Sequence, residues 1–172
     1  SSGGNAGLAS TFAGRALGVP TTVFVPSSTP ESVQNKLKIE GAEVIQKGSV
    51  WDETHEHAEQ YAKEQNALLI HPFDDATIWQ GHASMIHEAK EQMERPDCVI
   101  LSVGGGGLLC GVIQGLHDCG WQNIPVIAVE TKGADSFAQS LEQKKLVTLP
   151  EITSIAKSPV SYTHLTLPTS PK

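Results

Sequence analysis

A run of four glycines, residues 104–107, stands between an apolar segment and a series of apolar residues at helical spacing. Residues 98–103 predict a buried strand, and the spacing of Leu108, Val112 and Leu116 predicts a helix after the glycines. Because glycine has no Cβ, the backbone of such a turn can approach a ligand closely. The N–H groups of the first helical turn and the positive end of the helix dipole favour an anion there. The segment therefore predicts a phosphate site made of backbone amides, and a tight turn without a ligand is the alternative.

This pattern differs from the glycine-rich loops that bind dinucleotides or nucleoside triphosphates. Its spacing is neither Gly-x-Gly-x-x-Gly nor that of a P-loop, which ends in Gly-Lys and a hydroxyl residue. No Lys or Arg occurs between Arg95 and Lys132. We therefore expect a small phosphate held mainly by the backbone, and not a triphosphate with magnesium.

A second segment with chemical potential is Ser-Ser-Gly-Gly-Asn-Ala-Gly at residues 1–7, directly before a predicted helix. Its N–H and hydroxyl groups can bind a carboxylate, again assisted by the helix dipole. The amide of Asn5 can donate a hydrogen bond to a ligand's ring oxygen or accept one. Ordinary capping of the helix by Ser2 or Asn5 explains the same residues, so both interpretations stay open.

Helices and strands alternate along the chain and would position these two segments. Apolar periodicity predicts helices near residues 5–17, 30–41, 52–66, 76–94, 108–120 and 135–144, and strands at 21–25, 42–46, 67–70, 98–103 and 125–130. We expect Thr29 to cap the second helix, with Pro30 at its first position. Short connections in such an alternation indicate an α/β fold with open, mostly parallel sheets. The break at 71–75 predicts a small subdomain at residues 1–75 and part of a larger one at 76–158.

Composition excludes several classes of partner. The chain of 172 residues has 12 basic and 19 acidic residues, which give a formal net charge of −7. The basic residues do not cluster into a stripe along the sequence. We therefore expect no nucleic-acid partner and no membrane partner, and the apolar runs are too short for a membrane span. The odd number of cysteines, Cys98, Cys110 and Cys119, suggests reduced thiols that serve as small core residues in a cytoplasmic protein.

Taken together, the two glycine segments resemble those of the fold-type-II pyridoxal-phosphate enzymes, the class of the tryptophan synthase β subunit. Within that class the chain looks like the L-serine dehydratase/L-threonine deaminase group over about residues 1–158. Residues 71–84 and 126–136 also resemble that group. Related cysteine synthases carry a Gly-Thr-Gly-Gly-Thr type of phosphate loop, so the unbroken glycines favour a dehydratase.

The resemblance implies a role for particular residues. The phosphate of pyridoxal 5′-phosphate would be held by Gly104, Gly105, Gly106, Gly107 and Leu108, the pyridine 3-oxygen by Asn5, and the substrate carboxylate by Ser1, Ser2, Gly3 and Gly4. A monovalent cation, usually potassium, would be bound by Glu130, Ala134 and Ser136. A cation would also offset the cost of a carboxylate at the end of a buried strand. Capping of the following turn by Glu130 is the alternative.

The implied reaction is β-elimination, which converts L-serine to pyruvate and ammonia and L-threonine to 2-oxobutanoate and ammonia. In this group the Schiff-base lysine lies upstream of the Ser-Ser-Gly segment, so no catalytic residue is expected in this chain. We therefore expect an inactive internal piece of a longer, homodimeric enzyme that acts on a small amino acid. A serine racemase or a β-replacing enzyme on the same cofactor is an alternative, and a catalytically dead binding module of this fold is another.

Other candidates are weaker. His55 and His57 are two residues apart on a helix and do not face one another, which disfavours a metal pair. His82 and His87 suit a helix surface or a domain contact, and Asp74-Asp75 suits a helix cap. Residues 159–172 match the translation of a common sequencing adapter, so we expect them not to belong to the natural protein and exclude His164 as a site residue.

Overall fold

The computed structural model describes residues 1–2 and 4–155. The chain divides into two compact units, Ser1–Pro72 and Phe73–Lys172. Among the residues described, each unit contains helices and one two-stranded parallel sheet, so the α/β class with small parallel sheets is confirmed. The adapter-like residues 159–172 lie outside the described part of the chain.

The described residues of the first unit form three helices and two strands. In chain order these are α1 Asn5–Leu17, β1 Thr22–Val25, α2 Glu31–Glu40, β2 Glu43–Gln46 and α3 Trp51–Glu64. β1 and β2 pair in parallel, with Thr22 opposite Glu43. The core consists of buried side chains of β1, α2 and the residue before β2, namely Val23, Val25, Leu37 and Ala42, and Val44 of β2 packs against it.

Two predicted helix ends in this unit are confirmed, and two other predictions are wrong. α1 and α2 end within one residue of their predicted ends, and each is followed by a glycine in the left-handed conformation, Gly18 and Gly41. However, Pro30 is the N-cap of α2 and no side chain caps that helix, so Thr29 is not a cap. The predicted strand at 67–70 is also absent, since among residues 1–2 and 4–155 it pairs with no strand. Leu68 in this segment is 88% exposed, which shows that an apolar run does not form a strand when it has no neighbouring strand to pair with.

In its described residues, the second unit alternates three helices with two strands. Its elements are α4 Ala76–Gln92, β3 Val99–Ser102, α5 Gly107–Asp118, β4 Val126–Val129 and α6 Ser136–Gln143. β3 and β4 are parallel, with Val99 opposite Val126. The core includes buried residues of α4, α5 and the segment after α5: Ile86, Val112, Leu116, Cys119 and Ile124. Because Ile100 is 65% exposed, β3 is less buried than its sequence predicts.

Close packing of α4 against α5 sets the position of the α5 N-terminus. A Cβ on Gly111 would overlap the His82 side chain, and one on Gly115 would lie 2.8 Å from the Ala83 carbonyl oxygen. Two glycines one turn apart therefore let the helix backbones approach each other. α4 itself begins at a cap that the sequence predicted, since the Asp75 carboxylate accepts a hydrogen bond from the Thr77 N–H at 2.7 Å.

The buried thiols behave as core residues. Cys110 and Cys119 are buried, as predicted, whereas Cys98 is exposed, and none of the three forms a disulfide within the described residues. Within residues 1–2 and 4–155, no helix combines the length and apolar character that crossing a membrane requires.

Candidate functional site

The glycine loop connects the end of β3 to the start of α5. The N–H of Val103 still belongs to the sheet and donates to the Val129 carbonyl at 3.0 Å. Beyond it the chain bends, and Gly106 adopts φ +92°, a conformation that favours glycine. α5 then begins at Gly107, so the backbone turns from strand to helix within residues 104–106.

This loop has N–H groups without protein acceptors. In the described part of the chain, the N–H groups of Gly104, Gly105 and Gly106 donate to no other residue. The first N–H groups of α5 also have no acceptor within the helix. Residues 105–107 are buried, and buried N–H groups require a partner. The loop therefore fits an anion such as a phosphate, which would accept these hydrogen bonds at the positive end of α5.

Phe73 is a supporting residue that the sequence analysis missed. A Cβ on Gly105 would overlap the Phe73 ring, and one on Gly107 would lie 2.7 Å from the Phe73 carbonyl oxygen. That carbonyl accepts a hydrogen bond from Trp79 Nε1 at 2.6 Å, which fixes Phe73 against the loop. Two of the four glycines are thus required by a neighbouring residue as well as being suited to a ligand. The position of Phe73, within the break at 71–75, is the only sequence signal for this contact.

Two titratable groups near the start of α5, Cys110 and His82, are shifted towards their neutral forms. Burial, and to a lesser degree the negative charge of Asp74, raise the pKa of the Cys110 thiol to about 11. Burial also lowers the pKa of His82, which favours its neutral form. Binding of a phosphate would therefore depend on backbone N–H groups and the helix dipole, as the absence of Lys and Arg from residues 96–131 suggests.

The serine-containing segment in the first unit is hydrogen-bonded to elements around it. The Ser2 N–H donates to the Phe24 carbonyl at the end of β1 at 3.2 Å, and the Gly4 N–H donates to Ser2 Oγ at 3.2 Å. The N-cap of α1 is Gly4, and no side chain caps this helix. Helix capping therefore does not account for Ser2 and Asn5. Asn5 is exposed as the first residue of α1, while Gly3 lies outside the described residues.

Ser1 also has partners on α3. Its carbonyl accepts a hydrogen bond from Trp51 Nε1 at 3.1 Å, and its Oγ lies 3.1 Å from His55 Nδ1. The sequence analysis considered His55 only as a poor metal ligand and did not consider Trp51. No periodicity links residues that are 50 and 54 positions apart in the chain.

Glu130 is a helix cap in the structure. Its carboxylate accepts hydrogen bonds from the N–H groups of Phe137 at 2.9 Å and Ala138 at 2.8 Å, at the start of α6. These bonds stabilise the negative charge of the carboxylate, which a bound cation was expected to offset. Ala134 and Ser136 are buried nearby in the chain, and Ser136 accepts a hydrogen bond through its carbonyl from Ser140 Oγ. No group of three His, Cys, Asp or Glu residues among residues 1–2 and 4–155 is arranged to hold a metal.

Comparison with known proteins places this geometry in a family. The sequence profile of the family described as pyridoxal-phosphate dependent enzyme matches residues 1–167. The chain belongs to this family. Its backbone amides at 104–106 are consistent with that membership, since a phosphorylated cofactor needs such an anion site.

Individual relatives of the family are similar to this chain over part of their length. The L-serine dehydratase/L-threonine deaminase of Homo sapiens is 53% identical over 160 residues, which are 92% of this chain and 49% of that protein. The chain therefore spans about half the length of the curated relatives it matches.

Solved structures of related enzymes share the backbone fold of this chain. A fungal L-serine ammonia-lyase from Rhizomucor miehei superposes with a TM-score of 0.84 at 35% identity, over 95% of this chain and 53% of that chain. A maize serine racemase superposes with a TM-score of 0.88 at 29% identity, over 96% of this chain and 49% of that chain. The fold-type-II class predicted from the sequence is thus confirmed.

Proposed function

We propose that this chain is part of a longer enzyme that uses pyridoxal 5′-phosphate to eliminate ammonia from L-serine and L-threonine. The products would be pyruvate and 2-oxobutanoate. The carrying observation is the set of N–H groups at 104–106, two of them on buried residues, which lack acceptors among the described residues of a chain 53% identical to a named serine dehydratase. When bound, pyridoxal phosphate would supply the electron sink for loss of the α-proton and the β-hydroxyl.

The residues of this chain would bind and orient, and none of them would react. The backbone N–H groups of Gly104, Gly105, Gly106, Gly107 and Leu108 would hold the phosphate. Because no side-chain cation would neutralise it, the phosphate held by these residues would stay basic enough to carry a proton, which could then be donated to the substrate hydroxyl so that it leaves as water. We propose that the lysine that carries the cofactor lies N-terminal to residue 1 in the longer protein.

In the first unit, the segment 1–4 would bind the substrate carboxylate through Ser1, Ser2, Gly3 and Gly4. Asn5 would donate to the pyridine 3-oxygen, and its exposure at the start of α1 leaves its amide accessible. The α1 helix dipole would support the carboxylate, since no acidic residue occupies the first turn of α1.

A monovalent cation remains part of the proposal. Potassium would be bound by Glu130, Ala134 and Ser136, in addition to the hydrogen bonds that Glu130 already accepts. Full-length enzyme assayed in potassium and in tetramethylammonium would test this, and equal activity in the two would exclude a required cation. We also propose a homodimer in the cytoplasm, a reducing compartment that suits three cysteines without a disulfide among the described residues; the molar mass from light scattering tests the dimer.

The central experiment uses the full-length protein. Purified protein should carry the visible absorbance of bound pyridoxal phosphate and form pyruvate from L-serine in a lactate dehydrogenase-coupled assay. Gly105→Ala should lose the cofactor absorbance because its Cβ would overlap the Phe73 ring, whereas Gly81→Ala, with open space around its Cβ, should keep it. A full-length protein that binds the cofactor but forms no keto acid from either amino acid would refute the proposed reaction.

Serine racemisation is the second candidate, and the TM-score of 0.88 to maize serine racemase favours it. The maize racemase is 29% identical to this chain, which is less than the 53% identity of the human dehydratase. Chiral chromatography of the products from L-serine separates the two, since racemisation yields D-serine and elimination yields pyruvate. More D-serine than pyruvate would overturn the dehydratase assignment.

A further inference from the structure

An aromatic cluster in the first unit lies directly beside Ser1. Trp51 is the first residue of α3 and His55 lies one turn further on, so both project from the same face of the helix. Their rings are stacked with centroids 4.7 Å apart and planes inclined by 12°. The ring of His71 meets both edge-on, at 4.9 Å from His55 and 5.8 Å from Trp51.

This cluster is connected to the start of the serine segment at two atoms. The indole N–H of Trp51 donates to the Ser1 carbonyl at 3.1 Å, and Nδ1 of His55 lies 3.1 Å from Ser1 Oγ. The next residue, Ser2, is bonded to a different element, since its N–H donates to the Phe24 carbonyl of β1. The segment is therefore held between α3 and β1 from its first residue.

His55 is itself held on its other side. Its Nε2 lies 3.5 Å from Glu59 Oε1, one further turn along α3, and its side chain is 15% exposed. Stacking on Trp51, the edge contact with His71 and the ion-pair distance to Glu59 leave the imidazole little rotational freedom. A ring fixed in this way can fix the hydroxyl rotor of Ser1, whose hydrogen and lone pairs then point in defined directions.

We propose that Trp51 and His55 are positioning residues for the carboxylate-binding segment, and that they act through Ser1. This rests on the proposed function, in which Ser1 and Ser2 bind the amino-acid carboxylate. Ordering the segment before the substrate arrives removes an entropic cost from binding, so the pair strengthens amino-acid affinity. Neither ring takes part in the chemistry, and the effect should fall on KM more than on kcat.

The test uses the full-length protein with His55→Phe and Trp51→Phe, which keep a ring but remove the hydrogen bond to Ser1. Each should raise the KM for L-serine about threefold to tenfold, the size expected for loss of one hydrogen bond, with kcat changed less than about twofold. Hydrogen–deuterium exchange of peptide 1–10 should become faster in protein without substrate. His57→Phe is the matched control, since His57 is exposed on the same helix and should change neither quantity.

A double-mutant cycle with Ser1→Ala makes the test decisive. If His55 acts through Ser1, His55→Phe should add less than about twofold to the KM of Ser1→Ala. Fully additive effects on ln KM, or KM and exchange within about twofold of wild type in both ring variants, would overturn the proposal. Trp51→Phe carries the same test if His55→Phe does not fold. A wild-type protein without lyase activity would refute the proposed function alone, because the exchange measurement would still test the attachment of Ser1.

Discussion

The two glycine-containing segments of this chain hold their shape by opposite means. The loop at 104–107 is shaped by steric fit: Phe73 occupies the space where a Cβ of Gly105 would lie, and the N–H groups of 104–106 have no acceptor among the described residues. The segment at 1–4 is shaped by hydrogen bonds, in which Ser1 and Ser2 already have partners on α3 and β1. A phosphate site can thus be preformed by the backbone. The segment at 1–4 depends instead on its hydrogen-bond partners on α3 and β1.

The largest expected effect is that of adding a methyl group to the sterically shaped loop. Gly105→Ala should destabilise the protein by about 3 kcal/mol, because the Phe73 ring or the loop must move. Gly81→Ala is the control: its Cβ would meet nothing within 4 Å, so it should stabilise α4 by up to about 1 kcal/mol. Urea unfolding measures both, and equal midpoints for the two variants would contradict the steric account.

A double variant sharpens the same point. If the Phe73 ring is the cause, Gly105→Ala should cost at least about 1 kcal/mol less in a Phe73→Ala background than in the wild type. An unchanged cost would show that the backbone of the loop, and not its contact with Phe73, excludes the methyl group.

The next effect concerns thiol reactivity at the start of α5. The raised pKa of Cys110, about 11 against an ordinary 9.0, should make its alkylation at pH 8 about 100-fold slower than that of an unperturbed thiol. The native protein binds this proton more tightly than the unfolded chain, so the stabilisation is present below pH 9 and is lost as the pH rises towards 11. Mass spectrometry after iodoacetamide treatment should find Cys98, which is exposed, modified first. Early labelling of Cys110 would show that this end of α5 opens.

A smaller effect is expected at Glu130, whose carboxylate fixes the start of α6 just after β4. Glu130→Gln should cost about 1–2 kcal/mol, because a neutral amide accepts the bonds from Phe137 and Ala138 less strongly than a carboxylate. Thermal unfolding in potassium and in tetramethylammonium measures it. A loss that occurs only in potassium would show that cation binding, and not capping, is the main role of Glu130.

The smallest effect is expected in the hydrogen-bonded segment. Ser2→Ala removes the acceptor of the Gly4 N–H and should cost about 1 kcal/mol or less. Ser32→Ala, at an exposed position of α2, provides the control and should stay within about 0.5 kcal/mol of wild type. A cost for Ser2→Ala as large as that for Gly105→Ala would break the contrast between the two segments.

Local features were predictable from the sequence where the cause is local. Gly18 and Gly41 end their helices because the left-handed conformation there suits glycine, and Asp75 caps α4 because a carboxylate before a helix accepts from its first N–H groups. The strand predicted at 67–70 was wrong, since a strand requires a partner that the apolar pattern does not specify. Pairing partners are long-range contacts, and periodicity carries no information about them.

The amino-acid sequence by itself determined the alternation of helices and strands, the four glycines at a strand–helix junction and the two segments by which the family resemblance was recognised. Only the tertiary structure decided that Phe73 fills the space beside Gly105, that the Glu130 carboxylate caps α6, and that Trp51 and His55 hold Ser1. The physical reason is that helix caps and turns depend on neighbouring residues, whereas these contacts depend on how elements pack after the chain has folded. Steric exclusion and hydrogen bonding across 50 residues become visible only when both partners have a position in space.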